Sequence, residues 1–305
     1  MGRYLGQKLV TSILVLWMII NLTFLLMHLI PGGPFTTEKV LPEAIRRNIE
    51  RHYQLDAPWP QQYFGYLGKI VTFDLGPSYH YTGRAVNDII RDGFAVSAVL
   101  GLQGLLLALI LGIGLGILGA CFPNSSLDGL ILAFSSLGVA IPSFITASLL
   151  IYIFAYQLGW FPPAMWGGLG HRILPSLALA ILPASYIAQL LRASILATLT
   201  EDYITAAWAK GLSPLRVLFG HALKNSILPL LAYLGPLTAQ ILTGSFVIEE
   251  IFAIPGLGRH FVASIYNRDY PVIMGVTIFY SLVLVAGNLL CDLLYHYADP
   301  RLNMD

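Results

Sequence analysis

Hydrophobic residues along the chain come in long unbroken runs, not at the alternating or three-to-four spacing of a soluble fold. A hydrocarbon core about 30 Å thick needs roughly 20 apolar residues of helix to cross it. Six stretches meet that length: residues 9–30, 99–122, 130–156, 173–191, 227–248 and 272–294. The last alone holds a formal charge, Asp292 near its end, and the fourth is interrupted by Pro175 and Pro183. The expectation is an all-α polytopic membrane protein with six transmembrane helices. Three units follow: residues 1–30 as the N-terminal end and first helix, 31–96 as an outside insert, and 97–305 as a five-helix core.

Between the runs, two polar segments carry patterns of their own. In the insert, Leu41, Ile45, Ile49 and Tyr53 recur every four residues, Pro42 suits a first helical turn, and Glu43 can pair with Arg47. That insert reads as a cap on the outer helix ends, or as a docking surface for a soluble partner. The loop 192–226 is richer. Thr198 with Glu201 fits a capping box, and Thr200 before Glu201 and Asp202 is an alternative start. Tyr203 to Lys210 reads as helix, stopped by Gly211. Ser213 then caps a second helix with Pro214 at its first position, and Leu215, Leu218, Phe219 and Ala222 supply its apolar face. Ala206, Ala207 and Ala209 make the first helix shallow, so that another protein's groove can approach, with Tyr203 and Trp208 as anchors. Gly211→Pro or Ala207→Arg is expected to spare insertion and abolish any motion relayed here. A surface helix covering the inner span ends is the simpler reading of the same residues.

Charge sets the orientation and narrows the function. Lys and Arg near span ends mark the cytoplasmic side. Placing both termini there puts Arg3, Lys8, Arg192, Lys210, Arg216, Lys224 and Arg301 inside, leaving Arg172, Arg259 and Arg268 outside. The first span is too long for a signal-peptide core and has no A-x-A site after it, so it is read as uncleaved. Only 11% of residues are charged, against about 25% in soluble chains. The net charge of +1 with no basic stripe argues against nucleic-acid binding. No P-loop, H-E-x-x-H or G-x-S-x-G motif occurs, and Cys121 and Cys291 form no metal knuckle. The expectation is therefore no catalytic residue, no metal and no cofactor on this chain. Proton-driven carriers use intramembrane carboxylates or histidines. Here only Asp292 and His28 are near candidates, and both sit toward span ends. Gly112 and Gly116, with Gly114 between them, allow close helix packing. Pro142, Gln240 and Asn288 are candidate pathway-lining residues, with Pro175, Pro183, Pro229 and Pro236 shaping the helices.

The segment Thr205-Ala206-Ala207-Trp208-Ala209-Lys210-Gly211, followed by Ile227-Leu228-Pro229, resembles the "EAA" loop of bacterial ABC importer permeases. The long interval before Ile-Leu-Pro, together with Ala209-Lys210-Gly211-Leu212 and His221-Ala222-Leu223-Lys224-Asn225, is similar to the peptide and nickel branch. Pro31-Gly32-Gly33-Pro34, Gly244-Ser245-Phe246-Val247-Ile248-Glu249, Pro255-Gly256-Leu257-Gly258, Asn267-Arg268-Asp269-Tyr270-Pro271 and Asp299-Pro300-Arg301 extend the likeness over essentially the whole chain. It looks most like the B-type permeases of oligopeptide importers. The resemblance implies a type I ABC importer permease fold in the bacterial inner membrane, moving oligopeptides from periplasm to cytoplasm. Dipeptides, nickel and antimicrobial peptides are alternatives within the family. It implies four kinds of partner: membrane lipid, a second related permease, two cytoplasmic ATPases holding ATP and Mg, and a periplasmic peptide-binding protein. The ATPase-coupling residues it points to are Glu201, Asp202, Tyr203, Ala206, Ala207, Trp208, Lys210, Gly211 and Leu212. Thr205 stands where the family pattern has Glu, and Trp208 where peptide permeases have Arg, so an aromatic anchor takes the place of an ion pair. Outside the family, the rivals are a stand-alone secondary transporter and a membrane-anchored scaffold.

Overall fold

A computed structural model describes the backbone of residues 2–30 and 56–298, and the side chains of 6–30 and 56–291. The Leu41–Tyr53 stripe with Pro42 and the Glu43–Arg47 pair, the Pro31–Pro34 turn and the Asp299–Arg301 end lie outside the described residues. So do the side chains of Arg3 and Asp292.

The described chain is helical, with α1 over Gly2–Leu29, α2 over Trp59–Val71 and α3 over Val86–Cys121. The bent pair follows: α4, Ser126–Ala140, and α5, Ser143–Leu150, which runs on as a π-helix over Ile151–Gln157. Next come α6 at Leu169–Thr198, α7 at Asp202–Ala209 and α8 at Pro214–Val217. A π-helical turn, Leu218–Ala222, links α8 to α9 at Leu223–Ser226. The chain ends with α10, Leu228–Leu242, α11, Phe246–Ile251, α12, Leu257–Tyr266, and α13, Tyr270–Ala298. Among the described residues, five stretches are long and apolar enough to cross a membrane, and the α4–α5 pair makes a sixth when counted as one crossing.

Three sequence expectations change in detail. The third span is not one rod: α4 and α5 meet at 111°, at Pro142. Proline disfavours helix in the residue before it, and Ile141 is extended with ψ 123. The fourth span is not interrupted by Pro175 and Pro183. It is a continuous 30-residue helix, and its apolar window is the most buried of the five. Packing on several sides keeps α6 continuous where two lost backbone bonds would otherwise weaken it. The second span is longer than its apolar run, because α3 starts at Val86, upstream of the boundary expected at 96.

The α3–α6 pair forms the most extensive helix interface. Glycine makes it possible. A Cβ on Gly112 would come within 2.7 Å of the Ala184 carbonyl oxygen, and one on Gly116 within 3.0 Å of that of Ala188. Gly114, expected to help, faces open space. On the far side of α6, Gly138 of α4 meets Ser185 in the same manner. α13 closes the bundle against α10, where Gly235 faces Cys291 and Gly287 faces Ala239. Among the described residues, α1 packs on α13 and α2 through Phe24, Tyr66 and Ile278.

Candidate functional site

The candidate site is built where α6 ends. Leu199, Thr200 and Glu201 turn the chain, and Asp202 opens α7. The expected capping box does not form. Thr198 is still inside α6, its hydroxyl donating to the Ser194 carbonyl at 2.8 Å, and the Thr200 hydroxyl donates to Ala197 at 2.7 Å. Glu201 occupies the cap position without a side-chain bond to the helix. Ser213 likewise sits at the cap position before Pro214 but makes no capping bond. Gly211 does end α7: its φ of +75° is a conformation other residues adopt only under strain, and its N–H donates to Trp208 at 2.9 Å.

The two faces of α7 are distinct. Ile204 and Ala207 are buried in a cluster with Ala120 of α3, Leu191 and Ile195 of α6, and Val217, Leu218 and Ala222 of the following helical turns. Leu212 packs against the same cluster. This corrects two expectations. Ala207 belongs to the packed face, not to the shallow outer one, and Leu215 and Phe219 are exposed while Val217 replaces them inside. The π-helical turn at 218–222 shifts the helical phase that the spacing of those residues assumed. The outward face carries Tyr203, 40% exposed, Trp208, 44% exposed, and the exposed Glu201, Asp202, Ala206, Lys210 and Gly211. Asn225 of α9 donates to the Tyr203 hydroxyl at 2.7 Å, which holds that ring at the rim.

Nearly two turns before the end of α6 lies an ion pair that nothing in the local sequence pattern marks. Arg192 of α6 donates through two nitrogens to the two carboxylate oxygens of Asp128 in α4, each at 2.6 Å. Asp128 is 2% exposed and Arg192 17%. The N–H of Asn124 completes the carboxylate at 2.9 Å. A two-pronged, charge-assisted contact of this kind fixes geometry as well as distance. It ties α4 to the helix that leads into α7. In the sequence Arg192 is one more inside cation; its partner lies 64 residues away, and nothing local announces it.

Two further carboxylates are buried at the other end of the bundle. Glu249 of α11 accepts from the Ser97 hydroxyl at 2.8 Å and from the Arg259 N–H at 3.1 Å, and Ser97 also accepts from the Leu257 N–H. Gly244, Gly256 and Gly258 surround it so closely that a Cβ on any of them would collide with its oxygens. Asp269 accepts from the Ser78 hydroxyl and from the backbone N–H groups of Tyr79 and His80. Each fastens an irregular segment to a span, and each was visible in the sequence only as part of a family motif.

The pathway candidates Pro142, Gln240 and Asn288 are all exposed on the single chain. The structure does not bring them together with α7. His28 hydrogen-bonds to the Phe24 carbonyl and to Gln62 of α2. Among the described residues no group of His, Cys, Asp and Glu side chains is placed to hold a metal ion.

Comparison with known proteins gives this geometry a family. Residues 112–304 match the family described as "Binding-protein-dependent transport system inner membrane component". A dipeptide transport system permease protein of Bacillus subtilis is 47% identical over 100% of this chain and 99% of its own length. Oligopeptide transport system permease proteins of Haemophilus influenzae and Salmonella typhimurium are each 40% identical over 99% of both chains. Among solved structures, an amino acid ABC transporter aligns over 69% of this chain and 94% of its own, with TM-score 0.56 and 18% identity. The inward-facing MetNI methionine ABC transporter aligns with TM-score 0.56 and 15% identity over 69% and 96%. Those two establish the type I permease fold. By the match to residues 112–304 and the full-length likeness to these permeases, the chain belongs to the inner-membrane components of binding-protein-dependent transport systems.

Proposed function

We propose that the chain is one of two transmembrane subunits of an ATP-driven importer that carries short peptides into the cell. The observation that carries this reading is the likeness, from end to end, to permeases named for dipeptides and for oligopeptides. The second subunit is a related but different permease. Two cytoplasmic ATPases bind ATP and Mg, a periplasmic peptide-binding protein delivers the substrate, and both termini lie in the cytoplasm of a bacterial inner-membrane protein. This chain supplies no chemistry of its own.

The outer face of α7 is the contact with an ATPase. Tyr203 and Trp208 insert as aromatic anchors, Ala206 lets the groove approach, and Lys210 lies at the rim. The helix is short, about 12 Å at 1.5 Å per residue, so it moves as one piece. Ile204 and Ala207 key it into the α6 cluster, and Arg192 passes the displacement on to α4 through Asp128. ATP binding on the partners selects the state in which those helices open outward.

The test is uptake of labelled di-, tri- and pentapeptides by proteoliposomes holding both permeases, the ATPases and the binding protein. The reading expects uptake that needs ATP inside and stops when the ATPases are omitted. Uptake by this chain alone under an ion gradient would overturn it. A series in which only dipeptides are carried would restrict the substrate to that length.

A further inference from the structure

Each exposed face of the single chain must meet lipid, a partner or water, and the residues on it decide which. On α3 the outward row Leu102, Leu106 and Ile110 is wholly apolar, as is Leu130, Phe134 and Leu137 on α4. Such rows suit hydrocarbon. The uncovered row of α6 differs. Leu182, Tyr186, Gln189 and Ala193 follow one another at helical spacing, exposed or half-exposed. Beside it on α10 run Pro229, Tyr233, Pro236 and Gln240, at the same spacing. The two rows touch: the Tyr186 and Tyr233 rings lie 4.6 Å apart.

Tyrosine in membrane proteins belongs at the two interfaces, where its hydroxyl reaches water. Tyr186 instead stands in the middle third of the 30-residue α6, and Tyr233 lies inside the spanning stretch Leu228–Ile251. Among the described residues none of the four polar side chains, Tyr186, Gln189, Tyr233 or Gln240, has a hydrogen-bond partner within the chain. Two hydroxyls and two amides left bare in hydrocarbon would each cost free energy. Their presence on one continuous surface calls for a polar occupant at membrane depth.

We propose that Tyr186, Gln189, Tyr233 and Gln240 line the translocation path and hydrogen-bond the backbone amides of the passing peptide. The proposal rests on the peptide reading of the preceding section. Peptides of different sequence share only their backbone, a regular series of N–H donors and C=O acceptors. Hydroxyls and carboxamides both donate and accept, and carry no charge to hold the substrate back. The row therefore gives passage without side-chain preference.

The experiment uses the complete four-subunit transporter in proteoliposomes, with Cys121→Ser and Cys291→Ser in this chain. Tyr186→Cys, Gln240→Cys and Leu106→Cys are each exposed to a charged, membrane-impermeant thiol reagent during turnover. Tyr186→Cys and Gln240→Cys are expected to react, a transported peptide at saturation is expected to slow them, and Leu106→Cys is expected to stay inert. Tyr186→Phe should raise KM for the peptide about fivefold, the loss of roughly one net hydrogen bond. Inert thiols at 186 and 240 overturn the proposal. So do reactive thiols that peptide does not protect, with KM unmoved, because the face then only meets the second permease. If the parent transporter carries no peptide at all, it is the substrate reading of the preceding section that fails, and the labelling pattern still decides whether this face lines a path.

Discussion

Two neighbouring alanines in α7 have opposite fates. Ala206 faces outward and Ala207 is 5% exposed against Ile204 and Leu191. Ala207→Arg forces a guanidinium into an apolar cluster, so it is expected to lower thermal stability in detergent and reduce the amount of folded protein. From sequence alone the expectation is that it spares insertion and abolishes coupled uptake; the buried position adds the loss of stability. Ala206→Arg should leave the melting temperature unchanged while cutting peptide uptake and ATPase co-purification. If both variants behave alike in melting and in uptake, the assignment of faces is wrong. His260 in α12 gives a second residue-scale expectation. Burial, and then the nearby Arg84 and Arg259, hold its imidazole below the ordinary value of 6.5, with Asp92 opposing. The unfolded chain takes up a proton that the folded chain refuses. Its contribution is therefore complete above pH 6.5 and is lost as pH falls below that. His260→Gln should flatten that part of the profile in thermal melts taken between pH 8 and pH 5. An unchanged slope would remove His260 as the cause.

At the scale of elements, the α3–α6 contact is set by backbone approach. Gly112 has no room for a side chain, because the obstacle is the Ala184 carbonyl and the Ile187 side chain of a buried helix. Gly112→Val should destabilise the bundle by about 1–3 kcal/mol, the usual cost of overpacking, whereas Gly114→Val, facing open space, should be close to neutral. Equal losses would show that helix propensity, not packing, governs both. The glycine spacing in span two signalled this contact, though not its partner. The two prolines of α6 were legible as residues but not as geometry. A proline's cost depends on what surrounds the freed carbonyl, and α6 is surrounded on most sides. Pro142 breaks its span because the chain there is exposed and the preceding residue adopts extended backbone.

For the whole molecule, the expected topology rests on the distribution of Lys and Arg around six crossings. The expectation is that both termini and α7 lie on the same side. Single cysteines at Gly6, Lys210 and Leu169, in the Cys121→Ser and Cys291→Ser chain, should respond to an impermeant reagent as two classes. Gly6→Cys and Lys210→Cys should react only in inverted vesicles, and Leu169→Cys only in right-side-out ones. A shared response at 169 and 210 would mean that α6 does not cross the membrane. The α4–α5 bend bears on the same count, since six crossings require that the pair as a whole reaches the other side.

Apolar run length, the scarcity of charge and the ordered motifs were enough to determine the helical membrane class, the family and the place of α7 between Glu201 and Gly211. Those properties are local or additive along the chain, so a linear reading captures them. Which alanine of α7 turns inward, how Arg192 finds Asp128, why Glu249 sits among three glycines, and that Tyr186 and Tyr233 meet were decided only by the tertiary structure. Each depends on contacts between residues far apart in the chain, and the π-helical turn at 218–222 shifts helical phase in a way that spacing alone does not reveal.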